Sequence, residues 1–192
     1  ALAHPVLRHR IVPTFNAEAT LPHTLNSLLR QRFDSFEVIA VDDGSEDNTP
    51  EILTRYARQD PRICPLFPGR QGLIGALNTG LDHARGAFIA RMDADDIAHP
   101  DRLGLQVAFL QERPDISLVS SLVRCFPRPE VGEGFRIYEA WLNSLCTPDD
   151  IAREIYIESP LVHPSILVRR SSLEAVEGYK DFGWAEDYDL WL

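Results

Sequence analysis

Phe88 to Arg102 reads FIARMDADDIAHPDR and places three carboxylates, Asp93, Asp95 and Asp96, within four residues. Like charges this close repel, and desolvation at the end of a buried strand adds to the cost of ionising them. A hard divalent cation such as Mg²⁺ or Mn²⁺ resolves the conflict, because it takes oxygen ligands and commonly joins one or two carboxylates to the phosphates of a substrate. Phe88-Ile89-Ala90 reads as a short buried strand before the cluster, and a helical pattern follows Pro100. Ligands of open α/β sheets bind just beyond the carboxyl ends of strands. Two readings stand for this stretch: a metal site holding a phosphorylated ligand, and a solvated acidic turn that caps the next helix through Asp96 or Asp101.

A second acidic pair, Asp42-Asp43, ends the apolar run Phe36 to Val41 and leads into Gly44-Ser45. Two carboxylate clusters at strand ends of one parallel sheet belong on the same edge. A carboxylate there can accept from a base or a ribose; the plain alternative is a turn that satisfies its own backbone. A third cluster, Glu186-Asp187 with Asp189, follows the aromatics Phe182 and Trp184. An aromatic surround favours the protonated form of a carboxylate, which suits a general base, while an acidic first turn of a helix is the plain alternative. His163 stands alone before a strand, where a hydrogen-bonded structural role is the simpler reading. Gly69, Gly72 and Gly75 match neither the phosphate-loop pattern nor the dinucleotide fingerprint, which excludes a P-loop NTPase and an NAD enzyme. Arg70 in that loop is placed either at a phosphate or in solvent.

These residues need elements to hold them. Val6 to Val12 is a weak strand whose Arg8 and Arg10 suit an exposed face. Leu21, Leu25, Leu28 and Leu29 mark an amphipathic helix. Thr49-Pro50 reads as an N-cap and first position of a second helix over Ile52, Leu53, Tyr56 and Ala57. Ile63 to Phe67 is a strand, Leu73 to Ala84 a helix, Phe88 to Met92 a strand, Leu103 to Leu110 a helix and Ile116 to Val123 a strand. The alternation predicts an α/β fold of right-handed βαβ units with a mostly parallel sheet. Residues 124–158 leave the rhythm, with Pro127, Pro129, Gly132 and Gly134 before two helical pieces, the second capped by Thr147; they read as an excursion from the sheet within a single domain spanning 1–192. Ser165 to Arg169 returns to a strand, Ser171 to Glu174 reads as a capping box, and Gly178 stops the helix.

The formal net charge of −10, with 19 Lys and Arg against 29 Asp and Glu, argues against nucleic acid as a partner, since phosphate contacts need clustered basic residues. Cys64, Cys125 and Cys146 are odd in number and form no C-x-x-C pair, which fits a reducing cytoplasm without disulfides or zinc. No apolar run reaches the roughly 20 residues of a membrane span. Asp189-Leu190-Trp191-Leu192 stops inside a helical pattern, so the chain reads as lacking its C-terminal part.

Val12-Pro13-Thr14-Phe15-Asn16-Ala17-Glu18, Val41 to Ser45, Ala76-Leu77-Asn78-Thr79-Gly80, Arg91 to Asp96 and Ala185 to Trp191 together resemble, in order and spacing, the signature segments of family 2 inverting glycosyltransferases, in the flavour of bacterial enzymes that build envelope polysaccharides. The resemblance covers Ile11 to Leu192 and is weakest over 124–158. It implies a glycosyltransferase A-type, Rossmann-like αβα sandwich. It implies that Pro13, Thr14 and Asp43 face the nucleoside of a nucleotide-sugar, UDP-sugar being the expected donor, with Asp42, Glu18, Arg70 and Asn78 nearby. Asp93 and Asp95 would form the D-x-D pair, the second the more direct ligand of Mn²⁺ or Mg²⁺ and the first leaning toward the ribose. Asp187 would be the base, with His163 and Glu186 at the donor pocket. The acceptor would be a glycan or lipid-linked saccharide. Localisation would be cytoplasmic, at the inner face of the membrane where the missing C-terminal part makes peripheral contact. The basic first strand departs from the apolar strand of relatives. Two other readings are a non-catalytic nucleotide-sugar binding module or inactive fragment, and a sugar-phosphate nucleotidyltransferase, for which Pro13 to Glu18 lacks the Gly-rich basic loop.

Overall fold

The computed structural model describes residues 8–192, so Val6 and Leu7 of the first expected strand lie outside the described residues. The elements alternate as β1 (Arg8–Thr14), α1 (Leu21–Leu29), β2 (Glu37–Asp42), α2 (Thr49–Gln59), β3 (Ile63–Leu66), α3 (Gly72–His83), β4 (Phe88–Arg91) and α4 (Arg102–Glu112). They continue as β5 (Leu118–Val119), α5 (Glu133–Leu142), α6 (Pro148–Glu154), β6 (Leu167–Arg169), α7 (Arg170–Ala175) and α8 (Glu186–Trp191). The sheet order is β3-β2-β1-β4-β6-β5. β3, β2, β1 and β4 are mutually parallel, as βαβ units require. β6 runs antiparallel to both β4 and β5.

Alternation along each strand divides the core into two layers. Val12, Val38, Ala40, Ala90 and Leu167 pack with Leu25 and Leu28 of α1, Leu53 of α2 and Leu103 and Leu110 of α4. On the other face Ile11, Ile39, Val41, Ile89 and Val168 pack with Ala76 and Leu77 of α3, Leu173 of α7 and Tyr179. This is an αβα sandwich. At Gly80 a Cβ would lie 2.5 Å from Ile11 Cγ2, so the bare glycine lets α3 press directly onto β1.

Several expectations give way. The strand expected over Ile116 to Val123 shrinks to Leu118–Val119, an edge strand with a single neighbour. Thr49 is the first residue of α2 rather than its cap, because its Oγ1 accepts from the Ala17 N–H at 2.8 Å and Asp47 accepts from the Thr49 N–H instead. The helix after β6 starts at Arg170, ahead of the expected Ser171 box.

The expected exposed face of β1 is the largest correction. β1 lies between β2 and β4 with helices on both sides, and its residues from His9 to Thr14 are all buried. Arg10 is 1% exposed, and none of its three guanidinium nitrogens has a hydrogen-bond partner. The guanidinium lies 5.1 Å from the centroid of the Phe36 ring. Burial, then the nearby charges of Arg102 and Arg62, push its pKa well below the usual arginine range. The neighbouring His9 is better provided for: its Nδ1 accepts from the Gly86 N–H at 2.8 Å and its Nε2 meets Glu37 at 3.0 Å. An unpaired buried charge opposes folding, so Arg10→Met is expected to stabilise the protein by about 1–4 kcal/mol. Urea denaturation checks it: the midpoint rises with little change in slope.

Candidate active site at the carboxyl edge of the sheet

Register brings the acidic clusters together. Thr14 pairs with Asp42 and Ile11 with Arg91, so β1, β2 and β4 end on one edge and release Asp43 and Asp93 there. Because β6 is antiparallel and starts at Leu167 opposite Ala90, the turn before it, His163–Ser165, reaches the same edge. Arg102 ties the two strands: its Nη2 donates to the carbonyls of Arg91 at 3.1 Å and Ile166 at 3.0 Å. Buried polar residues on α1 and just after it stake down the loop after β4, Thr24 donating to Ala94 O, Ser27 accepting from the Ala98 N–H and Gln31, beyond the helix end, donating to His99 O.

Asp93, Asp95 and Asp96 can each offer an oxygen, and these oxygens lie within 4.8 Å of one another. Burial first, then the charges of Asp93 and Asp95, push the Asp96 carboxyl up to about 6. Arg91, missed by the sequence reading, lies at the centre. It is buried, and its Nη1 sits 2.5 Å from Asp93 Oδ2, although Nε and Nη1 make no well-formed hydrogen bond. A charged residue ending an apolar run, one residue from the acidic turn, was the available signal.

At the ends of β1 and β2 the carboxylates are already engaged by the protein. Asp42 accepts from the hydroxyl and N–H of Ser45 at 2.6 and 3.2 Å, the plain turn of the alternative reading. Asp43 is 5% exposed and accepts from the N–H groups of Gln71 and Gly72 at the start of α3, at 2.5 and 2.9 Å. Arg70 stacks its guanidinium 3.6 Å from the Phe15 ring centroid and approaches Asp43 Oδ2 at 3.5 Å. Pro13 and Thr14 are buried, and the Thr14 hydroxyl donates to Val41 O. Glu18 accepts from the N–H and side-chain amide of Asn48, sewing the β1–α1 loop to the β2–α2 loop. Asn78, expected near the nucleotide, donates from its amide to Tyr179 O at 2.8 Å and accepts from Tyr179 N–H at 3.0 Å, which ties α3 to the segment after α7.

A cavity of about 380 Å³ opens beside the acidic turn, lined by Arg91, Asp93, His163, Glu186 and Asp187, with Tyr138 of α5 on its rim. Asp43 does not line it. Nothing in the sequence marked Tyr138, whose ring stacks on Trp141 at 5.5 Å. His163 is 5% exposed; its Nε2 meets the Tyr179 hydroxyl at 2.8 Å and its Nδ1 lies 3.5 Å from Glu186 Oε1. Contact with His163 holds the Glu186 carboxyl below its usual range, the reverse of what an aromatic surround would do.

The model of the family described as Glycosyl transferase family 2 matches residues 10–176. The chain belongs to glycosyl transferase family 2. This family 2 chain is 28% identical over 185 residues to the amylovoran biosynthesis glycosyltransferase AmsE of Erwinia amylovora, covering 95% of the chain and 67% of AmsE. Its fold is the glycosyltransferase A type. It superposes with a TM-score of 0.70 on the mannosyltransferase PcManGT of Pyrobaculum calidifontis in complex with GDP-Man and Mn²⁺, at 26% identity, covering 96% of the chain and 50% of PcManGT. With S. aureus TarS 1-349 in complex with UDP-GlcNAc the TM-score is 0.67 at 26% identity, covering 95% of the chain and 51% of that structure. The chain thus spans about half to two thirds of the length of these proteins.

The acidic turn fits a divalent cation. It offers three oxygens at ligand separation, and the raised Asp96 carboxyl marks a repulsion that a cation would relieve. The sign of the pH effect follows. Asp96 is raised from 3.8 to about 6, so the folded protein holds its proton more tightly than the unfolded chain, and stability present at low pH is lost as pH rises through that window. Mn²⁺ needs the ionised form and is expected to reverse the trend. The melting-temperature gain from Mn²⁺ over EDTA should be larger at about pH 7 than at about pH 4.5.

Proposed function

We propose that this family 2 chain transfers a glycosyl group from a nucleoside-diphosphate sugar, with inversion at the anomeric carbon, to a hydroxyl of a glycan or lipid-linked acceptor. One observation carries the reading: Asp93 of the acidic turn and Asp187 of the E-D pair, far apart in the sequence, line a single cavity. The complexes of PcManGT with GDP-Man and Mn²⁺ and of TarS with UDP-GlcNAc support a nucleotide-sugar donor. The nucleoside is proposed to lie beyond the ends of β1 and β2, against Asp43, with Pro13 and Thr14 behind it and Arg70 at the mouth. Glu18 and Asp42 brace that wall. A divalent ion held by Asp95 and Asp93, with Asp96 adjoining, would supply charge neutralisation to the departing diphosphate. The reaction is placed in the cytoplasm, at the inner face of the membrane when the acceptor is lipid-linked; among the described residues no helix is long and apolar enough to cross a membrane.

In this mechanism Asp187 accepts the proton of the acceptor hydroxyl. The acceptor oxygen attacks the anomeric carbon from the face opposite the leaving group, the bond from that carbon to the diphosphate oxygen breaks, and the nucleoside diphosphate leaves with the bonding pair. A single displacement inverts the centre, and one carboxylate base suffices where a hydrolase uses an acid and a base. Arg91 holds Asp93 at the cavity wall, and Glu186 is held by His163.

The direct test measures UDP and GDP release from a panel of UDP- and GDP-sugars with Mn²⁺; metal-dependent release supports the proposal, and binding without release identifies a binding module instead. Asp187→Asn is expected to lower turnover by about 10²–10⁴-fold while leaving nucleotide-sugar binding nearly intact; unchanged turnover rejects the assignment. Asp95→Ala is expected to weaken nucleotide binding in Mn²⁺ and leave it unaltered in EDTA. Equal calorimetric affinities of wild type and variant in Mn²⁺ count against that role.

A further inference from the structure

We propose that His163 is a positioning residue that, through Tyr179 and Glu186, fixes the helix carrying Asp187 against α3. The inference rests on the reading of Asp187 as the base.

The helix in question, α8, has six residues and no side-chain cap. A helix this short does not hold its own shape or direction in water, so its orientation must come from what it touches. Its first side chain, Glu186, meets His163 Nδ1 at 3.5 Å. Its last full turn brings Trp191 edge-on to the same imidazole, with centroids 5.8 Å apart. Tyr188 donates from its hydroxyl to Ile155 O. His163 therefore touches both ends of the helix, and Asp187 lies within the span they define.

His163 is itself anchored. Tyr179 is 5% exposed, and its hydroxyl meets His163 Nε2 at 2.8 Å. The Tyr179 backbone is paired in both directions with the Asn78 amide, in the middle of α3. Gly178, with φ of +75°, makes this pairing possible: a Cβ there would come within 2.9 Å of Asn78 Oδ1. A continuous path of contact runs from Asn78 through Tyr179 and His163 to Glu186. The same α3 grips Asp43 at its first turn, so one rigid element relates the nucleoside wall to the proposed base.

The proton positions agree with this path. Burial pushes the Tyr179 hydroxyl far up, so it keeps its proton and donates to Nε2. Burial lowers the pKa of His163, which favours the neutral ring, and an accepting Nε2 leaves the proton on Nδ1, facing the Glu186 carboxylate. The charged groups around the ring are Glu186 and Asp187 from α8 and Arg91 from β4.

The test uses the full chain and compares His163→Ala, His163→Gln and Tyr179→Phe by three measurements: steady-state UDP release, calorimetric UDP binding in Mn²⁺, and hydrogen exchange of the backbone amides over residues 186–191. His163→Ala is expected to lower kcat by about tenfold or more, as small misplacements of reacting groups do, with KM for the donor and Kd for UDP within about twofold. Exchange over 186–191 should accelerate. His163→Gln, which restores a polar atom toward Tyr179, should recover part of both losses. Tyr179→Phe should move both readouts in the same direction and add nothing in the His163→Ala background. Unchanged exchange over 186–191 in folded His163→Ala and Tyr179→Phe proteins overturns the proposal, as does a loss that falls on donor affinity instead of kcat. If wild-type protein releases neither UDP nor GDP from any donor, the reading of Asp187 fails, and the exchange measurement alone still decides whether His163 holds the helix.

Discussion

The contact between the buried Arg91 guanidinium and Asp93 is the interaction on which the site depends. Asp93, Asp95, Asp96, Glu186 and Asp187 gather at one edge of a chain that already carries ten net negative charges. Without a fixed cation among them, mutual repulsion would spread the turn and the E-D helix apart, more strongly as water is excluded. Arg91 cannot swing away, because the last position of β4 holds its backbone and the protein encloses its side chain. One of the three carboxylates of the acidic turn, Asp93, is thereby paired, and Asp95 is left exposed. Attraction supplied by the protein and charge demand left for a ligand thus coexist within a few residues.

Behind the edge, α3 does more than cover the sheet. It lies against β1 at Gly80, takes the Asp43 carboxylate on its first N–H groups and carries Asn78 to Tyr179. The acidic groups at the two ends of the site are therefore referred to one helix, not to flexible loops. The loops after β1 and β2 are stitched to each other through Asn16, Glu18 and Asp47, which removes the freedom that connecting segments ordinarily have.

What could be read from the sequence tracks how local the physics is. Strands of contiguous apolar residues, such as Phe36 to Val41, and helices with leucines at helical spacing were legible, because burial pattern and secondary structure coincide there. The convergence of Asp43 and Asp93 on one edge was legible too, since a parallel sheet dictates it. Asp187 required the family resemblance, because no local rule brings a residue after β6 back to that edge. Arg10 was misread: its charge argued for solvent, while the strand's place between β2 and β4, which no local pattern encodes, put it inside. Asn78 was placed near the nucleotide by the family resemblance alone, and its bonds to the Tyr179 backbone were not legible because they join residues about a hundred positions apart. Arg91 and Tyr138 went unremarked, the first masked by the aspartates that follow it and the second by an irregular stretch whose packing no periodicity describes.

The direction of β6 has a consequence for how such a protein can change over time. β5 and β6 lie side by side and antiparallel, so residues 124–158 leave the sheet and return to it at neighbouring positions, like a loop pinched at its base. Lengthening a segment tethered in this way adds little entropic cost, and neither strand need shift to accommodate it. Tyr138, on the cavity rim, comes from this detachable piece, whereas Asp93, His163 and Arg91 belong to the framework. Insertions, deletions or replacement around α5, within residues 124–147, could therefore remodel the mouth of the cavity while Arg91, Asp93, His163 and the Ile155 carbonyl that takes the Tyr188 hydroxyl stay in place, an architecture suited to diversifying what enters without rebuilding what reacts.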